Sequence, residues 1–284
     1  MKILRLFFLK INEVILPYKV KQLSLKTGNS ELLKISEFLK KNTKEMIPYK
    51  FSKTFRNMPV EIEKDNVNNL SYVYFNNYKV YYPETYTKED ITFAFRTALL
   101  EQYIESPHRY NHSVESELKG KGAILIGASD CIFALSIINN FNRLLLIEAD
   151  PAWLKPMNIT LKDYQDKIEI INKFVSDTKS QDTINLDLYF AGMNSDFDFI
   201  QMDVEGNELK VLKGAELFLK NSKKLKLSVC CYHTYSQETE VREYLESLDF
   251  RCSLSKGFIN PLTAKPLKSP YLRKGVVYAE KVIL

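Results

Sequence analysis

The stretch FDFIQMDVEGNELKVLKG, residues 197–214, decides the fold of this chain. Its apolar first half ends at Asp203 and Glu205, and Gly206 then allows the backbone to turn into an amphipathic helix. An almost continuous apolar run is typical of a strand in a parallel sheet that is covered on both faces. Open α/β sheets bind ligands at the carboxyl ends of their strands, so we expect Asp203 to be functional. Glu208 is interpreted as a first-turn residue that the helix dipole favours.

Strand and helix patterns alternate on both sides of this stretch. Apolar segments predict strands at Ala123–Gly127, Arg143–Asp150, Ile168–Val175, Phe197–Val204 and Leu225–His233. Helical patterns lie between and after them, at 131–141, 154–164, 207–221 and 237–248. A closing hairpin is predicted from Arg251–Lys256 and Gly275–Leu284. This alternation predicts an α/β fold with a doubly wound, Rossmann-like parallel sheet.

The part of the chain before residue 115 has a different pattern. Apolar residues at helical spacing predict helices near the start of the chain, at 30–46 and at 87–107. The string SYVYFNNYKVYYP predicts a β-hairpin around Asn76 and Asn77. We therefore predict a helical and hairpin appendage over residues 1–115 and the α/β domain over residues 116–284.

Charge is concentrated in the first part of the chain. Residues 1–60 hold 13 Lys and Arg against 4 Asp and Glu, a net charge of +9, whereas residues 61–284 hold 27 against 31, a net charge of −4. There is no run of Arg and no aromatic RNA-binding motif, which argues against a nucleic-acid partner. The apolar start, MKILRLFFLKINEVIL, is too short and too often interrupted by charge to span a bilayer. It predicts a helix that either packs on its own domain or makes peripheral contact with a membrane.

The spacing of the four cysteines indicates the redox state of the compartment in which the protein works. None of the four forms a C-x-x-C pair or a disulfide-like framework. Reduced thiols, and with them a cytoplasmic protein, are therefore expected.

The loop after the first predicted strand lies in AILIGASDCIFAL. Gly127 and the small Ala128 allow a ligand to approach the backbone, and the following helix points its N-terminal amides toward that ligand. A dinucleotide fold would require G-x-G-x-x-G, and only one of these glycines is present. Glu148 ends the next strand about twenty residues later, where an acid accepts hydrogen bonds from ribose hydroxyls.

The string MDVEGNELKVLKGA resembles the signature of the FkbM-type methyltransferases, a family that uses S-adenosylmethionine (SAM). The likeness extends over most of residues 72–284. It implies the class I methyltransferase sheet of seven strands, with a reversed last strand. In the family pattern an Asp stands two residues before the first glycine of the loop and a second glycine follows. This chain has Leu125 and Cys131 at those positions.

These patterns together predict the residues of a SAM site. The predicted cofactor-binding residues are Gly127, Ala128, Asp130, Glu148, Ala149, Phe174, Val175, Asp177 and Asp203. Asp130 would face the ammonium group of the ligand, and Phe174 and Val175 would contact the adenine. Asp177 is interpreted either as an acceptor for the exocyclic amine or as a turn residue.

Two residues are candidates for the chemistry, His233 and Asp203. His233 ends the fifth predicted strand, so it faces the same crevice as Asp203 and has an ordinary pKa suited to a general base. The alternative is a histidine of the core or the surface. Mg²⁺ held by Asp203 and Glu205 is a further way to activate a hydroxyl, but two acids alone do not predict a metal site.

Four residues are candidates for binding the methyl acceptor: Glu205 and three residues of a segment that resembles the family. The segment ESPHRY, residues 105–110, resembles a family segment that precedes the catalytic domain. His108, Arg109 and Tyr110 either line the mouth of the pocket with Glu205 or cap the preceding helix.

Three functions remain open at this point. The first is a SAM-dependent O-methyltransferase that acts on a hydroxyl of a sugar or of a glycan precursor, where the sugar comes only from the resemblance. The second is a non-catalytic scaffold with an altered loop at Leu125 and Cys131. The third is a nicotinamide-dependent oxidoreductase, which lacks the required glycines.

Overall fold

The computed structural model describes residues 2–112, 118–192, 196–262 and 267–282. Its strands, in chain order, are β1 (Glu63–Asp65), β2 (Leu70–Phe75), β3 (Tyr78–Tyr81), β4 (Gly120–Ile126), β5 (Phe141–Ile147), β6 (Ile168–Ile171), β7 (Phe174–Val175), β8 (Thr183–Ile184), β9 (Phe199–Met202), β10 (Lys224–Cys230), β11 (Arg251–Leu254) and β12 (Val276–Val282). Its α-helices are α1 (Lys2–Thr27), α2 (Ser30–Leu39), α3 (Ser52–Arg56), α4 (Lys88–Glu101), α5 (Ile132–Ile137), α6 (Leu154–Thr160), α7 (Leu186–Tyr189), α8 (Glu208–Lys213), α9 (Glu216–Asn221) and α10 (Gln237–Glu246).

A seven-stranded sheet with the order β11-β12-β10-β9-β4-β5-β6 forms the centre of the molecule. The five strands from β10 to β6 are parallel, and β12 runs antiparallel to both β10 and β11. This arrangement confirms the predicted α/β fold and its closing hairpin. Ile126 of β4 is paired with Met202 of β9, so the segments that follow these two strands emerge side by side. The register therefore places Gly127 next to Asp203.

Two apolar layers cover the sheet because successive side chains of a strand point to opposite faces. On β4, Ile124 and Ile126 join one core cluster, whereas Ala123 and Leu125 join the other. Leu125 is only 1% exposed, so at this family position the chain has a core residue instead of an acid. The hairpin of β2 and β3 and the helix α4 pack against the Leu125 layer. The division into residues 1–115 and 116–284 stays a prediction.

The predicted strand Ile168–Val175 is wrong in its second half. Strand β6 ends at Ile171, and Phe174 and Val175 instead pair with Thr183 and Ile184 in a separate two-stranded parallel sheet. Between them the Asn172 Nδ2 donates hydrogen bonds to the carbonyls of Glu148 and Ala149, at 2.8 and 3.1 Å. A side-chain amide thus replaces the backbone pairing at this point.

The predicted helix over 207–221 is also divided. It breaks at Gly214, where a Cβ atom would lie 2.1 Å from the carbonyl oxygen of Ser176. The carboxylate of Asp187 then accepts hydrogen bonds from the backbone N–H groups of Leu217 and Phe218 and caps α9. The predicted helices at 30–46 and 87–107 end earlier, with α2 at residue 39 and α4 at residue 101.

The hairpin at Asn76 and Asn77 is present as predicted, between β2 and β3. The first helix is longer than its apolar start suggested, since α1 continues past Pro17 to Thr27 and packs on α2. Among the helices that the structure describes, none is both long enough and apolar enough to cross a membrane.

Candidate functional site

The loop after β4 lies directly against the end of β9. Gly127 has a φ of +81°, and a Cβ atom on it would lie 2.1 Å from the carbonyl oxygen of Asp203. The Gly127 N–H donates to the carbonyl of Ile147 at 2.8 Å, and the Asp203 N–H donates to that of Ile126 at 3.0 Å. Only glycine combines this backbone conformation with this close approach.

The remainder of this loop turns sharply into α5. Ser129 and Cys131 have positive φ values of 26° and 62°, and Cys131 is buried. The left-handed conformation at residue 131 gives a physical reason for a glycine at this family position. The Asp130 Oδ1 accepts a hydrogen bond from the Ile132 N–H at 3.0 Å, and burial raises the pKa of Asp130 to about 6. Its role toward an ammonium group stays a prediction.

Glu148 connects the end of β5 to this loop. Its Oε2 accepts from the Ser129 N–H at 3.0 Å, and its Oε1 accepts from the Asp150 N–H at 2.8 Å. A carboxylate has about four acceptor positions, so acceptor capacity remains for ribose hydroxyls. Asp150 caps the turn that follows it, because its Oδ1 accepts from the Ala152 N–H at 2.9 Å. Ala149 contributes its carbonyl to the contact with Asn172.

The residues predicted to contact the adenine lie in different environments in the structure. Phe174 is 62% exposed beyond the end of β6 and can offer a flat apolar surface. Val175 instead points into the core. Asp177 lies on the surface, where its Oδ1 accepts a hydrogen bond from the Ser176 Oγ at 3.0 Å.

Asp203 lies at the centre of a group of buried and partly buried polar side chains. Its Oδ2 accepts a hydrogen bond from the Tyr110 hydroxyl at 3.2 Å and lies 3.3 Å from the His108 Nε2. Its Oδ1 lies 3.4 Å from the His233 Nε2. We refer to His108, Tyr110, Asp203, Glu208 and His233 as the Asp203 cluster. The two residues predicted for the chemistry are thus in contact, as their places on neighbouring strands required.

The segment that carries His108 and Tyr110 is attached to the sheet from the side. The Ser228 Oγ donates to the carbonyl of Tyr110, and the Tyr278 hydroxyl donates to that of Arg109, both at 2.6 Å. His108 is completely buried, and its Nε2 lies 3.2 Å from the Tyr232 hydroxyl. The segment also contacts the end of the preceding helix, because the Tyr110 N–H donates to the Oε1 of Gln102, the C-cap residue of α4, at 3.1 Å. Of the three predicted residues, His108 and Tyr110 reach Asp203 with their side chains.

Glu208 is the member of the cluster that sequence reasoning missed. It is completely buried, and its Oε1 accepts from the backbone N–H groups of Val204 and Gly206 at 3.1 and 3.3 Å. The same oxygen lies 3.2 Å from the His233 Nδ1, and its Oε2 contacts the amide nitrogen of Gln237. The turn before α8 makes this possible, since Glu205 and Gly206 have φ values of 55° and 97°. Two successive left-handed residues fold the chain so that the first helical carboxylate points back into the crevice.

Mutual electrostatics set the protonation states of the cluster. Burial alone would lower the pKa of His108, but the carboxylates of Glu101 and Asp203 raise it to about 9. Burial also opposes protonation of His233, but contact with Glu208 and the charges of Asp203 and Glu205 raise its pKa. Burial would raise the pKa of Asp203, but the two histidines keep it below its ordinary value. The Asp203 carboxylate therefore lies between two imidazoles whose pKa values are both raised, His108 to about 9.

Several polar atoms of the cluster have no hydrogen-bond partner among the described residues. They are the Asp203 Oδ1, both ring nitrogens of His233 and the His108 Nδ1. Glu205 stands at the edge, where its side chain is 88% exposed and its Oε2 lies 3.5 Å from the His233 Nε2. Buried polar atoms without partners are uncommon in folded proteins and mark a place where a ligand can complete the bonding.

The structure also shows which residues could hold a metal ion. Donor atoms lie within 4.8 Å of one another in two sets, His108 with Asp203 and Cys230, and Asp203 with Glu208 and His233. Neither set combines Asp203 with Glu205. Both contain a histidine, whereas Mg²⁺ prefers an all-oxygen shell that includes water.

A small cavity lies between the loop and α4. Its volume is about 60 Å³, and its wall includes Glu101, Gln102, Gly127, Asp130 and Gln201. Small-molecule sites usually measure about 300–1,000 Å³. The space beside the loop is therefore much smaller than a complete cofactor needs.

Part of the chain is similar to a known protein family. The model of the "Methyltransferase FkbM domain" matches residues 156–252, about a third of the chain. This range includes Asp203, Glu208 and His233 but neither the Gly127 loop nor His108. No curated protein matches the chain.

Solved structures show weaker likeness. The methyltransferase FkbM from Methylobacillus flagellatus KT is 22% identical with a TM-score of 0.46, and the alignment covers 60% of this chain and 46% of that one. An rRNA methylase from Streptococcus thermophilus is 16% identical with a TM-score of 0.39, over 58% of this chain and 90% of that one. The chain thus spans less than half the length of the FkbM structure.

The strand order and the reversed last strand define a class I methyltransferase fold. The domain match to residues 156–252 confirms the resemblance drawn from MDVEGNELKVLKGA. Residues 156–252, which hold Asp203, Glu208 and His233, are therefore similar to the methyltransferase FkbM domain.

Proposed function

We propose that this protein is a SAM-dependent O-methyltransferase that acts on a hydroxyl of a small-molecule or glycan acceptor. The Asp203 cluster carries the proposal. It brings an imidazole, His233, to the carboxyl end of the sheet beside the glycine loop, with the partly buried carboxylate of Asp203 near Nε2 and the buried carboxylate of Glu208 near Nδ1. The glycan acceptor and a cytoplasmic location rest on the resemblance and on the cysteine pattern.

The residues present suit the polar parts of SAM. Methyltransferases generally use this cofactor, and when bound it supplies a methyl group already activated on a sulfonium. Glu148 would hold the ribose hydroxyls with its remaining acceptor capacity. The exposed ring of Phe174 would contact the adenine, and Asp130 would attract the ammonium group. The cavity of about 60 Å³ beside the loop must enlarge to admit the cofactor.

The reaction requires a group that accepts the proton of the acceptor hydroxyl. His233 can take this proton on Nε2 only when it is neutral, with its remaining proton on Nδ1 toward Glu208. Glu208 would act as a positioning residue, because a proton held on Nδ1 leaves the lone pair on Nε2, the nitrogen on the side of Asp203 and Glu205. Glu208 and Asp203 would then stabilise the imidazolium that forms. The proton, once taken, leaves to solvent at the exposed edge near Glu205.

A second candidate function is a non-catalytic binding module with the same fold. The small cavity and the buried Cys131 at a position with φ of 62° favour it. Under this alternative the Asp203 cluster would be a purely structural network of ion pairs.

Calorimetry with SAM, S-adenosylhomocysteine (SAH) and NAD, followed by transfer of labelled methyl to a glycan extract, tests the proposal. We expect binding of SAM and SAH and transfer that survives a chelator. Tight NAD binding without any response to SAM or SAH would reject it. Binding of SAH with no transfer across hydroxyl acceptors would favour the binding module, and loss of transfer with chelator would replace the base by a metal ion.

A further inference from the structure

Helix α1 has an exposed stripe that contains both apolar and basic side chains. Val14, Tyr18 and Leu25 are 77%, 60% and 72% exposed, and Lys10 and Lys21 are exposed among them. With 3.6 residues per turn, these five positions lie within about 80° of one another around the helix axis. We call them the outer stripe. None of its members is acidic.

The opposite side of α1 is fixed, so the outer stripe faces solvent. Leu16 and Val20 are buried against Leu32, Ile35 and Leu39 of α2. The Ser36 Oγ also donates a hydrogen bond to the carbonyl of Pro17 at 2.7 Å. The three apolar side chains of the outer stripe therefore lie outside the core that α1 forms with α2.

The charge around the stripe indicates its partner. Residues 1–60 carry a net charge of +9. Two of their four acids are paired with lysines outside the outer stripe: Glu37 lies 2.6 Å from Lys40, and Glu13 lies 3.9 Å from Lys44. A second copy of the chain would bring two positive surfaces together, which like-charge repulsion opposes. An anionic lipid surface attracts lysine and also accepts apolar side chains below its headgroups.

We propose that the outer stripe docks this protein on anionic lipid bilayers, with α1 lying in the plane of the membrane surface. Val14, Tyr18 and Leu25 enter the boundary between headgroups and acyl chains. Lys10 and Lys21 extend their amines to the phosphates while their methylene stems stay in the apolar layer. This docking does not depend on the proposed methyl transfer.

Sedimentation of the full chain with vesicles tests the docking. We expect binding to phosphatidylcholine vesicles with 30% phosphatidylglycerol, little binding to pure phosphatidylcholine, and weaker binding at high salt. Replacement of Val14, Tyr18 and Leu25 together by Ser should lower the partition coefficient at least tenfold, on the order expected for three lost apolar insertions. Lys10→Glu with Lys21→Glu should lower it on anionic vesicles.

The matched control replaces three exposed apolar residues outside α1, Phe93, Leu188 and Leu217, by Ser. It should bind vesicles like the original chain, and circular dichroism should show both triple variants folded. Absence of binding to anionic vesicles would overturn the proposal. So would equal binding by the two triple variants, which would mean adhesion by charge alone. A dimer in analytical ultracentrifugation that only the Val14, Tyr18 and Leu25 variant dissociates would assign the stripe to a second copy instead.

Discussion

The two halves of the crevice differ in how their polar atoms are satisfied. Around the Gly127 loop, Glu148 and Asp130 accept hydrogen bonds from backbone N–H groups of the protein itself. In the Asp203 cluster, by contrast, the Asp203 Oδ1 and the ring nitrogens of His233 have no hydrogen-bond partner in the described part of the chain. The carboxylates of the loop half are therefore held in place by the protein backbone, with acceptor capacity left on Glu148, whereas the cluster half holds polar atoms that a reactant can engage. Substitutions in the cluster should affect chemistry, and those in the loop should affect affinity and stability.

The largest effect is expected from His233→Gln. Turnover should fall about 10²–10⁴-fold, the usual contribution of a positioned base, while calorimetry should find SAH affinity nearly unchanged. Since its carboxylate neighbours raise the pKa of His233, the neutral base forms only at higher pH. The turnover of the original chain should accordingly rise with pH above the ordinary histidine range.

His112→Gln is the control, because His112 is exposed and outside the cluster. It should leave both turnover and the pH profile unaltered. Equal turnover of the His233 and His112 variants would remove His233 from the chemistry.

His108→Gln should change how stability depends on pH. Neighbouring carboxylates raise the pKa of His108 to about 9, so the protonated form is favoured in the folded state. Its stabilisation is complete below about pH 6.5 and is lost as the pH rises through about 9, on the order of 3 kcal/mol in the free energy of unfolding. Burial raises the pKa of Glu101 from 4.5 to about 7. The stabilisation from its protonated form is therefore lost as the pH rises to about 7, mainly below the range in which His108 titrates.

Urea unfolding between pH 6.5 and 9 measures this effect. The original chain should lose stability across the range, and the His108 variant should lose much less. A variant that retains the full slope would show that another group titrates there.

Glu148→Ala tests the loop half. It should weaken SAH binding by about 1–3 kcal/mol, the scale of a lost hydrogen bond with an unsatisfied partner. Asp177→Ala is a useful comparison, since Asp177 lies on the surface with Ser176 as its partner, and its loss should change affinity less. If calorimetry finds equal affinity for the original chain and the Glu148 variant, the carboxylate serves only to hold Ser129 and Asp150.

Most of the sheet could be predicted from the sequence because buried parallel strands leave apolar runs, such as FDFIQM before Asp203. Only part of the Asp203 cluster can be predicted from the sequence. Asp203 and His233 follow neighbouring strands, so their contact follows from topology. Glu208 was misjudged because its direction depends on two left-handed residues in the preceding turn, of which only Gly206 signals such a conformation. The contact of His108 with Asp203 depends on how a segment outside the sheet folds onto it, which no local pattern records.

The smallest effect concerns the loop position at which the chain departs from the family pattern. Cys131 holds a φ of 62°, a region that costs a non-glycine residue about 1 kcal/mol, so Cys131→Gly should relieve up to about that much strain, offset by the lost packing of a buried side chain. It should also strengthen SAH binding, because glycine lets the backbone adjust between Asp130 and Ile132, which line the cavity of about 60 Å³. Cys131→Ala is the matched control, since it removes the thiol but keeps the Cβ atom and the strain. Calorimetry should rank SAH affinity as Gly above Ala, with Ala at or above Cys. If neither variant binds SAH more tightly, Cys131 does not limit the cofactor loop, and the limit lies instead at α4, whose Glu101 and Gln102 close the other side of the cavity.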